Sequence, residues 1–276
     1  MQPTFTEIKY AARSSLKHRW PEAMAVSLVF IATSLLNVLT QYMLMTVFKV
    51  KDVWTPFTPT DVPMYSQMAS IGITLFSAVF SLIVMFPLIF GVIRWFWLVT
   101  GGSDPALNEI FHYFSSSKVF FKTMALSIGL YLRLVVGAIV CFSPYIAMGV
   151  LTTPDLYDRL GITMPVVMES LRPLVSFSKI LGFIVLLLWI STYALCYTVV
   201  FSEPELTAHR TVRRTVEVTR GFRFNSVCFA FSFFGWAIAC LLVLPVLFVM
   251  PYFLSSIAIY GREIYRTSKH GATADR

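Results

Sequence analysis

Three stretches of this chain carry no charged side chain for 26, 32 and 38 residues: 23–48, 62–93 and 224–261. A helix crossing the hydrocarbon core of a bilayer needs about 20 apolar residues, so each stretch is long enough to span. Soluble domains are about a quarter charged; here only 13% of residues are charged and 57% are hydrophobic. A disordered or collagen-like chain is excluded by the 25 Phe, 12 Tyr and 6 Trp.

The uncharged stretches set the expected spans. Span 1 lies within 23–48, span 2 at 69–93 before Arg94, Trp95 and Trp97, span 3 within 119–150, and span 4 within 176–201. The stretch 224–261, as one helix, would run about 57 Å, nearly twice the ~30 Å core. Two short helices turning near Pro245 fit better. The expectation is an all-α polytopic bundle of six transmembrane helices, one domain over 1–265, with a basic tail at 266–276.

Basic residues are distributed by side. With the N-terminus cytoplasmic, 16 Lys and Arg fall on the inner side, among them Lys9, Arg13, Lys17, Arg210, Arg213 and Arg214. The outer side holds five, Lys49, Lys51, Arg159, Arg172 and Lys179. That asymmetry is the positive-inside pattern. The net charge of +8 therefore reads as orientation, aided by contact with anionic lipid, rather than as a nucleic-acid interface. About 20 polar residues precede span 1 and no small-residue cleavage site follows it, which reads as a retained anchor. Cys141, Cys196, Cys228 and Cys240 all fall in spans and read as small buried hydrophobes.

Three short segments on the inner side have helical character. In 5–18, Ile8, Ala12 and Leu16 form one stripe and Lys9, Arg13 and Lys17 the neighbouring one, an interfacial amphipathic pattern. The second opens Ser103-Asp104-Pro105-Ala106-Leu107, with Leu107, Ile110, Phe111 and Phe114 as its expected apolar face. The third opens Ser202-Glu203-Pro204-Glu205-Leu206 and runs to Gly221, with Val212 and Val216 on one side. The chain can thus be read as a threefold repeat of amphipathic helix plus two-span hairpin, over 5–102, 103–201 and 202–265. Two matching pentapeptides also arise by chance, because Ser, Pro and acids commonly open helices. The outer loops 49–68 and 151–173, with Trp54, Tyr65 and prolines such as Pro56 and Pro165, read as connectors with interfacial anchors.

Catalytic patterns are lacking: no phosphate loop, no His-Glu-x-x-His and no Gly-x-Ser-x-Gly. Glu109 and His112 stand three apart, too few ligands for zinc. No cofactor and no metal is expected, and the chain is not expected to be an enzyme. All 14 acids lie outside the span cores, which argues against an autonomous ion-coupled pump. Arg133 is the one charge inside a span. It is either an anchor for an anionic ligand or, if the hydrocarbon portion of span 3 starts at 134, a residue of the inner interface. Asn37 and Gln41, four apart in span 1, are candidates for ligand contact or for hydrogen bonding to another helix. Pro87 with Gly91, Pro144, Pro245 and Pro251 mark expected kinks.

The opening Phe5-Thr6-Glu7-Ile8-Lys9, with Ala12 to Lys17 and Trp20, resembles the start of a bacterial integral-membrane family known as domain of unknown function 975. A helix from Thr211 to Gly221, the motif Ser232-Phe233-Phe234-Gly235-Trp236, and Pro251-Tyr252 with Ile259-Tyr260 carry the resemblance further. It covers nearly the whole chain, and departs from the family where a glycine-rich turn becomes Leu244-Pro245. That family is similar to the membrane portion, not the catalytic domain, of some glycerophosphodiester phosphodiesterases. The resemblance implies an all-helical bacterial inner-membrane protein without established chemistry; Gly235, Trp236 and Tyr252, which lie in its motifs, are read as packing or hinge residues.

Two functions remain open at this level. One is a non-enzymatic membrane component that binds a lipid or a partner protein at the inner leaflet. The other is a permease or exporter subunit for an amphipathic or anionic solute, with Arg133 and the proline-bearing spans along the route.

Overall fold

A computed structural model of the protein describes residues 3–48, 50, 64–153, 157, 161, 170–242 and 244–274. The expectations for Trp54, Pro56, Pro165 and Arg159 lie outside the described residues. Among the described residues the chain is helical, without strands. In order it forms α1 (Phe5–Ser15), α2 (Trp20–Val47), α3 (Met64–Phe80), a π turn (Ser81–Met85), α4 (Phe86–Thr100) and a 3₁₀ helix (Leu107–Phe114). There follow α5 (Ser117–Leu151), α6 (Arg172–Ala194), α7 (Cys196–Ser202), α8 (Ala208–Thr219), α9 (Arg223–Phe231), α10 (Phe234–Ala239) and α11 (Val246–Ala274).

Four helical stretches are long and apolar enough to cross a membrane: Trp20–Val47, Met68–Thr100, Ser117–Leu151 and Pro173–Ser202. They match expected spans 1 to 4 and mark a multi-pass membrane protein. A fifth arises only if the bent pair Arg223–Phe231 and Phe234–Leu242 counts as one span. Six spans and the threefold repeat are not confirmed: among the described residues four or five stretches are long and apolar enough. The reason lies in the last stretch, where a 38-residue uncharged run is broken into short helices and α11 continues into Arg262, Glu263 and Arg266.

The described residues group into two compact units, Met1–Ile128 with Phe233–Thr267, and Gly129–Ser232 with Ser268–Arg276. In the first, α1 is opened by a capping box in which Thr4 and Glu7 satisfy each other's backbone N–H groups. Ile8, Ala12 and Leu16 are buried, as their fourfold spacing predicts. Pro87 explains the π turn before α4. A proline ring clashes with the carbonyl four residues back, and here the Phe86 N–H reaches five residues back to the Ser81 carbonyl, widening the turn.

From Pro87 to Val99, α4 is buried on most of its circumference and carries the core: Trp95 and Phe96 are sealed among Leu16, Ala23, Val92 and Ile110. Leu16 and Ile110 lie outside the spanning stretches, so removing each from water stabilises the fold by roughly 1.5–3 kcal/mol. Farther along α2 and α3 the pattern inverts. Leu35, Leu36, Val38, Ile71 and Leu75 are exposed, the surface a bilayer covers. Packing is thus concentrated at the end of this unit that carries α1.

The second helical segment differs from its expected pattern. It is a 3₁₀ helix, with three residues per turn, so Ile110 and Tyr113 are buried while Leu107, Phe111 and Phe114 are exposed. In the second unit α5 and α6 approach through small residues. A Cβ on Gly137 would meet the Trp189 indole at 2.2 Å, and one on Gly182 the Cys141 carbonyl at 2.7 Å. On α8, Thr211, Val212, Thr215, Val218 and Thr219 are buried, and the Thr219 hydroxyl donates to the Thr192 carbonyl at 3.0 Å. Gly221, at φ +88°, ends that helix as its position predicts. Pro144 and Pro251 sit inside α5 and α11 without interrupting either helix.

Candidate functional site

The basic stripe of α1 meets aromatic side chains from the C-terminal part of the same unit. Lys9 Nζ stands 4.3 Å over the ring of Phe233, a cation–π contact, and its pKa is lowered by burial. The Phe233 ring lies 5.5 Å from Tyr252, and Trp236 lies 6.1 Å from Tyr252. The Trp20 ring is 6.2 Å from Phe248. Between these groups opens a cleft of about 240 Å³ lined by Arg13, Trp20, Trp236, Phe248, Val249 and Tyr252.

The local sequence explains how these residues come together. The one-turn spacing of Lys9 and Arg13 places both on one edge of α1, beside the buried stripe. The three-residue spacing of Phe233 and Trp236, and the four-residue spacing of Phe248 and Tyr252, put each pair on one face of its helix. Arg13 and Trp236 remain exposed at the mouth. A guanidinium above aromatic walls offers charge and apolar contact together, the two things an anionic amphiphile needs.

Two other clefts flank this end. One of about 670 Å³ is lined by Pro3, Thr4, Glu7, Ile8, Ala11, Ile259 and Glu263. Its carboxylates are engaged: Glu7 accepts from the Thr4 N–H at 2.7 Å, and Glu263 from Arg266 at 3.0 Å. The other, about 370 Å³, lies along the 3₁₀ helix and includes Glu109 and His112. Glu109 is held by Arg94 at 2.8 Å and stands 3.6 Å from His112 Nδ1. Among the described residues no group of three or more His, Cys, Asp or Glu could hold a metal ion.

This second cluster has a pH consequence. Burial, and then the Arg94 charge, lower the His112 pKa, while Glu109 opposes them; burial raises the neighbouring Tyr113 phenol to about 12. A histidine whose folded pKa lies below its unfolded value of about 6.5 favours folding fully above that pH. As pH falls below it the unfolded chain binds the proton first, and stability declines. Thermal unfolding in detergent between pH 7.5 and 5 should show that decline, and His112→Gln should flatten it.

The other expected site residues are placed as follows. Gln41 Nε2 donates to the Ser77 hydroxyl at 2.6 Å and Asn37 Nδ2 to the same oxygen at 3.5 Å, tying α2 to α3. Arg133 is in the second unit; its Nη1 donates to the Gly129 carbonyl at 2.7 Å, one turn back on its own helix. On α8, Arg213 pairs with Glu217, Arg214 pairs with both Glu203 and Glu217, and Arg210 is exposed, as is Lys17 near α1. A Cβ on Gly235 would meet nothing within 4 Å, whereas Gly91 admits the backbone of Ile110. Pro245 forms the turn before α11.

Sequence reasoning counted Arg262 only as an inner-side charge. Its guanidinium donates to the carbonyls of Trp97 at 2.6 Å and Thr100 at 3.0 Å, and lies 4.4 Å from the Trp97 ring. It closes the C-terminus of α4. Phe248 and Val249 were likewise missed as cleft residues, because an uncharged stretch does not reveal which of its faces is lined by a partner helix.

The family described as "Protein of unknown function (DUF975)" matches residues 1–268. No curated protein and no solved structure matches the chain.

Proposed function

We propose that this chain, which belongs to the DUF975 family of proteins of unknown function, is a non-enzymatic membrane component that binds an anionic lipid headgroup at the inner leaflet. The observation that carries this reading is the cleft with Arg13 at its mouth, Lys9 beside it, and Trp20, Trp236, Phe248 and Tyr252 as walls. A phosphate placed there meets the Arg13 guanidinium, with Lys9 one turn away on the same amphipathic helix, and the glycerol and upper acyl carbons lie against rings. Orientation with both termini cytoplasmic, supported by the distribution of Lys and Arg, puts the cleft on the leaflet that carries most anionic lipid.

Native mass spectrometry in detergent with added phosphatidylglycerol tests it. The expected result is a retained lipid on the wild type and at least a tenfold loss of occupancy in Lys9→Glu/Arg13→Glu, which corresponds to about 1.4 kcal/mol. Equal retention by both proteins, with the variant folded, removes the site. Equal retention of phosphatidylcholine by the wild type removes the anionic preference.

The conduit reading rests on Arg133 within a long apolar helix. Reconstituted flux of an anionic amphiphile that falls in Arg133→Ala, but not in Lys9→Glu/Arg13→Glu, would favour it over the lipid-binding reading.

A further inference from the structure

The hairpin made by α10 and the start of α11 is pinned at its base and bare at its tip. At the base, Phe233 packs against Tyr252 and Phe253 with ring centroids 5.5 and 5.1 Å apart, and Lys9 of α1 sits 4.3 Å over the Phe233 ring. Among the described residues the tip is highly exposed and apolar: Leu241, Leu242 and Leu244 are 81%, 77% and 75% exposed. Trp236, Ile238 and Phe248 below them are also exposed.

Two lengths fix how deep such a hairpin can reach. Helix α1 and its flanks carry Glu7, Lys9, Arg13, Lys17 and Arg19. A single charge at the bilayer centre costs roughly 3 kcal/mol on insertion scales, so α1 is confined to the headgroup level. The base of the hairpin, in contact with Lys9, is held at that level too. From Phe233 to the turn at Leu244 is 11 residues, and from Tyr252 back to Pro245 is 7. At 1.5 Å per residue the two arms extend about 17 and 11 Å, against a hydrocarbon core of about 30 Å. Neither arm can cross.

We propose that residues 233–242 and 244–252 form a shallow re-entrant wedge that enters one leaflet from the basic side, turns at Leu244-Pro245 within that leaflet, a few residues beyond the contact of Phe248 with Trp20, and returns to the side it came from. The partner of its exposed face is the acyl-chain region of that single leaflet. The backbone at the turn is the one exposed weak point of such a wedge. Proline there supplies no N–H that would need a partner in hydrocarbon. The chain then crosses the membrane four times, at Trp20–Val47, Met68–Thr100, Ser117–Leu151 and Pro173–Ser202. Both termini still lie on one side, so the charge asymmetry is preserved. The wedge shares Trp236, Phe248 and Tyr252 with the cleft, but its depth is argued from the contact with α1 and does not depend on which ligand the cleft binds.

Single-cysteine labelling tests it. In a full-length background with Cys141, Cys196, Cys228 and Cys240 replaced by Ser or Ala, Leu244→Cys is probed with a membrane-impermeant maleimide in right-side-out and inside-out vesicles. Ser103→Cys, in the exposed turn after α4, and Tyr65→Cys, at the start of α3, report the two opposite faces. The expected result is loss of Leu244→Cys labelling from both faces, with labelling restored by detergent. Labelling from the face that reaches Tyr65→Cys overturns the proposal, because the hairpin then crosses. Labelling from the face that reaches Ser103→Cys also overturns it, because the tip then lies outside the bilayer. Leu241→Cys, on the other arm, provides the same readout should Leu244→Cys express poorly.

Discussion

Gly91→Ala should destabilise the protein by about 3 kcal/mol or more, the upper range for overpacking a tight contact. A Cβ built on Gly91 falls 1.8 Å from the carbonyl oxygen of Ile110 and 2.7 Å from its carbon. That obstacle is backbone, not the end of a flexible side chain, so it can clear only if the whole 3₁₀ helix moves off α4. Such a movement strains the Arg94–Glu109 pair and the contact of Phe90 with Tyr113, whose rings lie 6.0 Å apart. Gly72→Ala is the matched control, since a Cβ there meets nothing within 4 Å. Within a helix, alanine gains about 0.5–1 kcal/mol over glycine in an aqueous setting, so this variant should be neutral or slightly stabilised. Thermal unfolding of the three proteins in one detergent separates the cases; equal midpoints for Gly91→Ala and wild type would show that the approach of the two backbones is not tight.

Arg262→Ala is expected to cost roughly 2–4 kcal/mol, from the loss of two charge-assisted hydrogen bonds and a cation–π contact. The last carbonyls of any helix lack intrahelical donors and carry the negative end of the helix dipole. Arg262 answers both needs at the end of α4, reaching Trp97 and Thr100 across more than 160 residues of sequence. Arg262→Lys should recover less than half of the loss, because an ammonium cannot bond two carbonyls in a fixed fork while stacking on the Trp97 ring. Arg266→Ala provides the contrast: its pair with Glu263 is one turn away on the same exposed helix face and should be worth less than about 1 kcal/mol. A fall in unfolding midpoint for Arg262→Ala no larger than for Arg266→Ala would deny the capping role.

The two effects share a location. Gly91 and Arg262 both act on α4, the helix that carries the core at the basic end of the first unit. Away from that end, α2 and α3 are joined by the polar contact of Asn37 and Gln41 with Ser77, and their remaining apolar surface is left for lipid. An amphiphile bound as proposed beside Arg13 would sit at the packed end of the unit, where Ile8, Ala12 and Leu16 are buried.

How much was legible in the sequence differs from element to element. The buried stripe of α1 followed from its fourfold spacing, since an isolated amphipathic period has only one way to face a core. The 3₁₀ segment after α4 was read with the wrong period and too early a start: Ser103 and Pro105 suggested a helix opening, but the helix begins at Leu107 after Ala106, without a side-chain cap, and has three residues per turn where the Ile110 backbone lies against Gly91. The cleft was half visible. Lys9 and Arg13 were identified as surface cations and Trp236 and Tyr252 as motif residues, yet nothing in their spacing said that 220 residues of chain would return to bring them together.

The sequence by itself determined which stretches leave water and that the charges lie almost wholly outside them. Long uncharged runs must leave water, and lysine and arginine must stay out of hydrocarbon, whatever the packing; both are transfer energies of individual residues and need no knowledge of neighbours. Tertiary structure alone decided how the last uncharged run is divided into helices. Its composition suits two short spans or a half-deep wedge equally well, because hydropathy counts residues and not the level at which they are anchored. The contacts of Lys9 with Phe233 and of Phe233 with Tyr252 are what support the proposed wedge, and a pairing between residues so far apart in sequence is a property of the folded chain.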